Sequence, residues 1–426
     1  MTYLFISLFL IFVFFFLRRK HETIIAYGMM SILFQPYMCI KYNAPALSIK
    51  FLMDFFVVLM AFKNKSIGFK TFPFRGIFII LFLSWIFAIF ISPLDTLSLI
   101  PGVFQRILSF LVIVVVFTEV KYSNDVNLMI KFFLITCFIL ISVGIMEFAS
   151  QKNVFLDYVY NNVPFDALNG KLYHSLDGFV RFGGIRCQSL FAISISWGGF
   201  CCLLLGIFII LREKIKNSIG NITYWGLFIL AIICTITSGT RSCFVFLVIV
   251  LFPFIFLDKS NRRYRFFYIA ALVIALMLFS DKVTELLDSF SSKTDVSGSN
   301  AEMRQNQLLS VIKTLGGSLI WGFGFKGYSV AIKANDDILG AESIWLQLLL
   351  QGGIIAVVIQ LFLYIYIIKY FVKFIPSNKR IISMFFLAGW IIFVSMTSSP
   401  GLDDDYFILL ILMVIKYFNS IKISKQ

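Results

Sequence analysis

Four arginines stand apart from the basic clusters of this 426-residue chain: Arg181 and Arg186 in VRFGGIRCQS, Arg241 in TSGTRSC, and Arg304 in NAEMRQNQ. A guanidinium stays charged at any physiological pH and presents a planar fork of donors, so a group of them suits a diphosphate. The competing reading, aliphatic stems lying on apolar surface with their heads in water, serves any one of them better than all four. Gly183 and Gly184, between the first two, permit a ligand or a helix to approach the backbone closely, unless they only make a turn. Arg241 has little chain in which to reach water, and a charge held there needs a partner; an arginine capping the preceding helix is the alternative. A carboxylate near such a group could take a proton from an attacking hydroxyl. Glu342 is the candidate, because partial burial before SIWLQLLLQGG would raise its pKa. Asp177 and Asp403 to Asp405 are rivals, with a solvated acidic turn the stronger reading for the aspartate run. Asp54, inside an apolar stretch, would pair with a lysine or line a cavity, and no role is assigned to it.

The elements that must carry these residues are transmembrane helices. Hydrophobic residues make up 60% of the chain, aromatics 18% and charged residues 14%, and the mean hydropathy is +0.92. Soluble chains carry roughly a quarter charged residues. Apolar runs of about 17 to 25 residues recur throughout, the length that crosses the hydrocarbon core. Spans are expected near 2–17, 24–40, 45–62, 74–92, 101–118, 128–149, 189–211, 222–238, 242–257, 266–280, 343–368, 381–398 and 406–419. The fold class is therefore an all-α polytopic integral membrane protein of about 12 to 14 transmembrane helices with two long non-cytoplasmic loops, all within a single membrane domain, 1–426.

Most of the 37 Lys and Arg residues fall in loops on one side, and short loops on the other hold only Lys41, Lys50, Arg106 and Arg241. That asymmetry places the N-terminus outside and the C-terminus inside. It also accounts for the net charge of +15 without nucleic acid, which would need a soluble basic domain. Residues 150–188 and 281–341 form the two long outer loops, and segments of that length usually carry function. Within the second, MRQNQLLSVIKTL has helical periodicity and ends at Gly316-Gly317, predicting a short helix on the membrane surface. The seven cysteines contain no CxxC pattern, and His21 and His174 are the only histidines. Neither a disulfide framework nor a Cys/His metal site is expected. The first apolar run precedes its basic cluster, so it reads as a retained span.

RFGG at 181–184, SGTRS at 238–242, MRQNQ at 303–307, WGFGF at 321–325 and ESIWLQLLLQGGIIA at 342–356 occur in an order and sidedness that resembles the O-antigen polymerase and O-antigen ligase superfamily. The resemblance covers about 128–398 and is closest to the Wzy-type polymerases. It implies a metal-independent, cofactor-free glycosyltransferase of the bacterial inner membrane, acting on undecaprenyl-diphosphate-linked oligosaccharides at the periplasmic face. Arg181, Arg241, Arg304 and Glu342 would then be catalytic, and Arg186, Gly183, Gly184, Asp177 and Trp321 would bind substrate. Trp321 and the loop tyrosines Tyr158, Tyr160 and Tyr173 would stack on sugar rings. Membrane lipids, a chain-length regulator and a flippase of the same pathway would be its partners. Two departures bear on the reading. The ligase branch carries His-Asn where this chain has Glu342-Ser343, which favours a polymerase. Many relatives carry Pro-Asn at Gln188-Ser189, which loosens the alignment of Arg186. A ligase, or a non-enzymatic flippase or transporter of the same lipid-linked sugar, is the alternative.

Overall fold

The computed structural model describes residues 2–42, 46–63, 68–163, 180–181, 184–257, 265–266, 301–327, 338, 343–397 and 404–423. The expected span at 266–280 beyond Phe266, parts of both long loops, and Asp177, Gly183, Asp403 and Glu342 lie outside these residues. The chain is an all-α polytopic membrane protein whose described helices are α1 (Thr2–Arg18), α2 (Lys20–Met30), α3 (Ile49–Lys63), α4 (Arg75–Ile91), α5 (Thr96–Glu119), α6 (Ser123–Ser150), α7 (Val154–Asn162) and α8 (Ser194–Ile210). They continue with α9 (Arg212–Ile219), α10 (Asn221–Thr237), α11 (Arg241–Phe256), α12 (Ala301–Leu315), α13 (Ile344–Phe374), α14 (Ser377–Ser395) and α15 (Asp404–Ile423).

Among the described residues α5, α6, α13 and α14 are each long and apolar enough to cross a membrane alone, and α1, α4, α10 and α11 are shorter apolar helices. Every position of α8 from Ser196 to Ile210 is buried. A helix apolar all round belongs at the centre of a bundle, and α8 packs there against α10, α11 and α14. At the periphery α4 exposes Ile79, Ile80, Leu83, Phe87 and Phe90, as a lipid-facing helix should.

Several boundaries depart from the hydropathy reading, each for a local reason. The expected span 24–40 is helical only to Met30; a 3₁₀ turn (Ser31–Leu33) follows, and the chain then enters β1 (Cys39–Lys41), paired antiparallel with β2 (Leu47–Ser48). Pro36 lacks a backbone donor and disfavours helix at Gln35 before it. Helix α5 begins at Thr96 rather than near 101, because the Asp95 side chain caps it by accepting from Ser98 N at 3.1 Å, and Pro101 is tolerated near that end. Helix α8 starts five residues later than expected and meets α9 at a bend of 93°. The basic α9 turns aside there, with the Arg212 guanidinium 5.5 Å from the Trp225 ring. Helix α13 is broken at Gly353, whose φ is +63°.

Candidate active site

Arg186 is set between a short hairpin and the turn that joins α10 to α11. A two-residue hairpin, β3 (Val180–Arg181) with β4 (Gly184–Ile185), pairs Arg181 with Gly184. The chain then leads to Arg186, which is buried, with Nε donating to the Ser238 carbonyl at 3.2 Å and Nη2 to Thr240 Oγ1 at 3.0 Å. Cys187 N donates to the Thr237 carbonyl at 3.1 Å. These contacts join the RFGGIR and SGTRS motifs, which lie more than 50 residues apart in the chain. Gly239 serves this junction twice. Its φ of +61° suits glycine, and a Cβ there would lie 3.0 Å from Arg186 Cγ. Burial, reinforced by the Glu147 carboxylate, pushes the Cys187 thiol up to about 12, so this loop cysteine stays protonated and is a poor nucleophile.

Arg241 opens α11 directly after the same turn. Helix α11 runs along α14 with Phe246 stacked on Phe393 at 5.8 Å, which brings the start of one beside the end of the other. At that end Arg304, on α12, donates from Nη2 to the Met396 carbonyl at 3.2 Å. Trp345 Nε1 donates to Ser395 Oγ at 2.6 Å, which fixes the head of α13 there too. Arg186, Arg241 and Arg304 therefore share one end of the bundle. Ser343 caps α13 by accepting from Trp345 N at 3.3 Å.

The WGFGF segment is chiefly a backbone staple. Phe323 N donates to the Leu350 carbonyl at 2.7 Å, and Ile354 N to the Leu319 carbonyl at 3.0 Å, so the segment takes up backbone groups released at the α13 break. Phe325 N donates to the Ala88 carbonyl at 2.8 Å and Ser92 Oγ to the Phe325 carbonyl at 3.1 Å, closing the end of α4. Trp321 leans edge-on against Phe87 at 5.3 Å and stays about half exposed, at 47%.

A buried polar layer also runs between α2, α3, α5, α13 and α15, and the sequence pattern gave little notice of it. Asp54 accepts from Tyr27 OH at 2.6 Å and Ser109 Oγ at 3.0 Å. Lys50 pairs with Asp405 at 3.3 Å. Asp404 accepts from Gln360 at 2.8 Å and Tyr364 at 3.1 Å. The expected solvated acidic turn is thus corrected for Asp404 and Asp405: both point into the bundle, where partners on other helices offset desolvation. Asp54 is held by hydroxyls. The available sequence signal was the placement of Asp54, Asp404 and Asp405 at or within apolar runs.

Residues 226–361 match the family model described as O-antigen ligase. No curated protein matches. The matched segment contains SGTRS, MRQNQ, WGFGF and the head of α13, while Arg181 and Arg186 precede it and Arg186 reaches it through the Ser238–Thr240 contacts.

Proposed function

On the premise that residues 226–361 are a domain of the O-antigen polymerase and ligase superfamily, we propose that this protein is a polymerase of lipid-linked oligosaccharide repeat units. It transfers the growing glycan from undecaprenyl diphosphate to the next lipid-linked repeat at the periplasmic face of the inner membrane, with its N-terminus periplasmic and its C-terminus cytoplasmic. The observation that carries this reading is the gathering of Arg186, Arg241 and Arg304 at one end of the bundle, beside the head of α13.

In this mechanism Arg181, Arg241 and Arg304 stabilise the charge that develops on the departing diphosphate, which a metal does in other transferases. Arg186, with Gly183 and Gly184, holds the donor diphosphate. The acceptor hydroxyl attacks the anomeric carbon with inversion as the bond to the phosphate oxygen breaks. Its proton passes to Glu342, and undecaprenyl diphosphate leaves with the bonding electrons. Asp177 and Trp321 contact the glycan. A ligase is the second reading, favoured by the description of the matched family; Glu342-Ser343 in place of the ligase branch's His-Asn favours polymerisation.

Replacing Arg181, Arg241 or Arg304 with Ala is expected to abolish long glycan chains while a single capped repeat still reaches the cell surface. Electrophoresis of surface glycan distinguishes the readings. Loss of the single-repeat product together with long chains would overturn the polymerase in favour of a ligase or flippase. Normal chain formation by Glu342→Gln would remove Glu342 from the role of base.

A further inference from the structure

A buried carboxylate with no part in the chemistry above holds the turn that follows Arg186. Glu147 is 4% exposed and lies in the last turn of α6. A carboxylate is unfavourable at a helix C-terminus, where the backbone presents partial negative charge, and its burial is costly unless compensated. Compensation comes from two successive amides: Gln188 N and Ser189 N both donate to Glu147 Oε2, at 2.9 and 2.7 Å. Ser189 has a φ of +52°, an uncommon conformation for a residue with a side chain. Successive N–H groups turned to one side make an anion-binding concavity, and here the protein's own carboxylate fills it.

The rest of the turn is fixed to match. Ser189 Oγ donates to the Leu140 carbonyl at 2.7 Å, Asn153 Nδ2 to the Ser189 carbonyl at 2.6 Å, and Tyr37 OH to the Leu190 carbonyl at 2.5 Å. Glu147 Oε2 is the one acceptor in this set that two backbone amides share, so its loss would strand both donors. The clamped amides lie two and three residues beyond Arg186, whose guanidinium must reach Ser238 and Thr240 across the bundle.

We propose that Glu147 is a positioning residue: its carboxylate locks the Gln188–Ser189 turn and thereby sets Arg186 against the SGTRS turn for binding the donor diphosphate. This rests on Arg186 serving the donor, as proposed above. The test measures chain formation in membrane vesicles against the concentration of lipid-diphosphate-linked donor, at matched protein levels. Glu147→Gln keeps the volume and an acceptor oxygen; it is expected to raise the donor KM several-fold with little change in kcat. Glu147→Ala is expected to lose about tenfold or more in kcat/KM, about 1.4 kcal/mol. Adding Glu147→Ala to Arg186→Ala should cost little beyond Arg186→Ala alone, because the two act through one contact.

An unchanged donor KM in Glu147→Gln would overturn the proposal, even where Glu147→Ala fails to accumulate. Additive losses in the double variant would overturn it as well. The control separates the two readings. Normal activity of Arg186→Ala would remove Arg186 from donor binding, whereas a defective Arg186→Ala beside unaffected Glu147 variants would remove only the positioning role.

Discussion

Asp54 occupies a place where an unpartnered carboxylate would be costly, and two hydroxyls from different helices make it tolerable. The energetic asymmetry of buried hydrogen bonds turns this into a prediction: deleting the shared acceptor strands its donors, whereas deleting one donor leaves the other in place. Asp54→Ala should therefore lower the stability of the detergent-solubilised protein by about 1–3 kcal/mol. Ser109→Ala, which leaves Tyr27 still donating, should cost less. Thermal unfolding monitored by tryptophan fluorescence orders the pair, and the reverse order would show that packing rather than hydrogen bonding dominates the site.

At the scale of elements, the WGFGF staple joins α4 to α13 through positions where only glycine fits. Gly324 has a φ of +82°, and a Cβ there would collide with the backbone of Ser92 and Ala88; one at Gly353, with a φ of +63°, would collide with Ile320 O. Backbone obstacles cannot rotate away as a side chain can. Gly324→Ala and Gly353→Ala should each destabilise by more than about 2 kcal/mol, combining left-handed strain with overpacking. Gly226, within α10, has nothing within 4 Å of a Cβ. Gly226→Ala should be neutral or stabilise by up to about 1 kcal/mol, since alanine is the better helix former. The yield and melting temperature of the purified variants separate the two classes.

Across the whole molecule, the end opposite the arginines is joined by a histidine. His21 meets Glu119 at 3.0 Å and Asp125 at 2.9 Å, linking α2 to the ends of α5 and α6. Burial alone would lower the His21 pKa, but hydrogen bonds and charge from the two carboxylates outweigh it and hold the imidazole above its ordinary 6.5. A raised folded-state pKa means that the stabilisation is fully present below the ordinary value and disappears as pH rises through the raised one. His21→Gln should therefore melt below the native protein at pH 5.5, with the gap closing toward pH 9. A gap that stays constant across that range would mean that His21 acts by packing alone.

The solvent of this protein and the identity of most helices are legible in hydropathy, because crossing hydrocarbon demands long apolar runs that are visible residue by residue. The sequence also marked Arg181, Arg186, Arg241 and Arg304 as candidates, since charges outside the basic clusters stand out against an apolar background. It misread the stretch after Met30, where a turn and a hairpin are apolar enough to resemble a span, and it treated the two glycines at the α13 break as interior to a continuous helix. Four features emerge only in the folded bundle: Arg186 rests on the SGTRS turn, Glu147 holds the turn after it, Asp404 and Asp405 face inward, and WGFGF closes a break in α13. Each of these is a contact between residues distant in the chain. Hydropathy averages over neighbours in sequence, whereas a hydrogen bond depends on which atoms the folded bundle brings within about 3 Å.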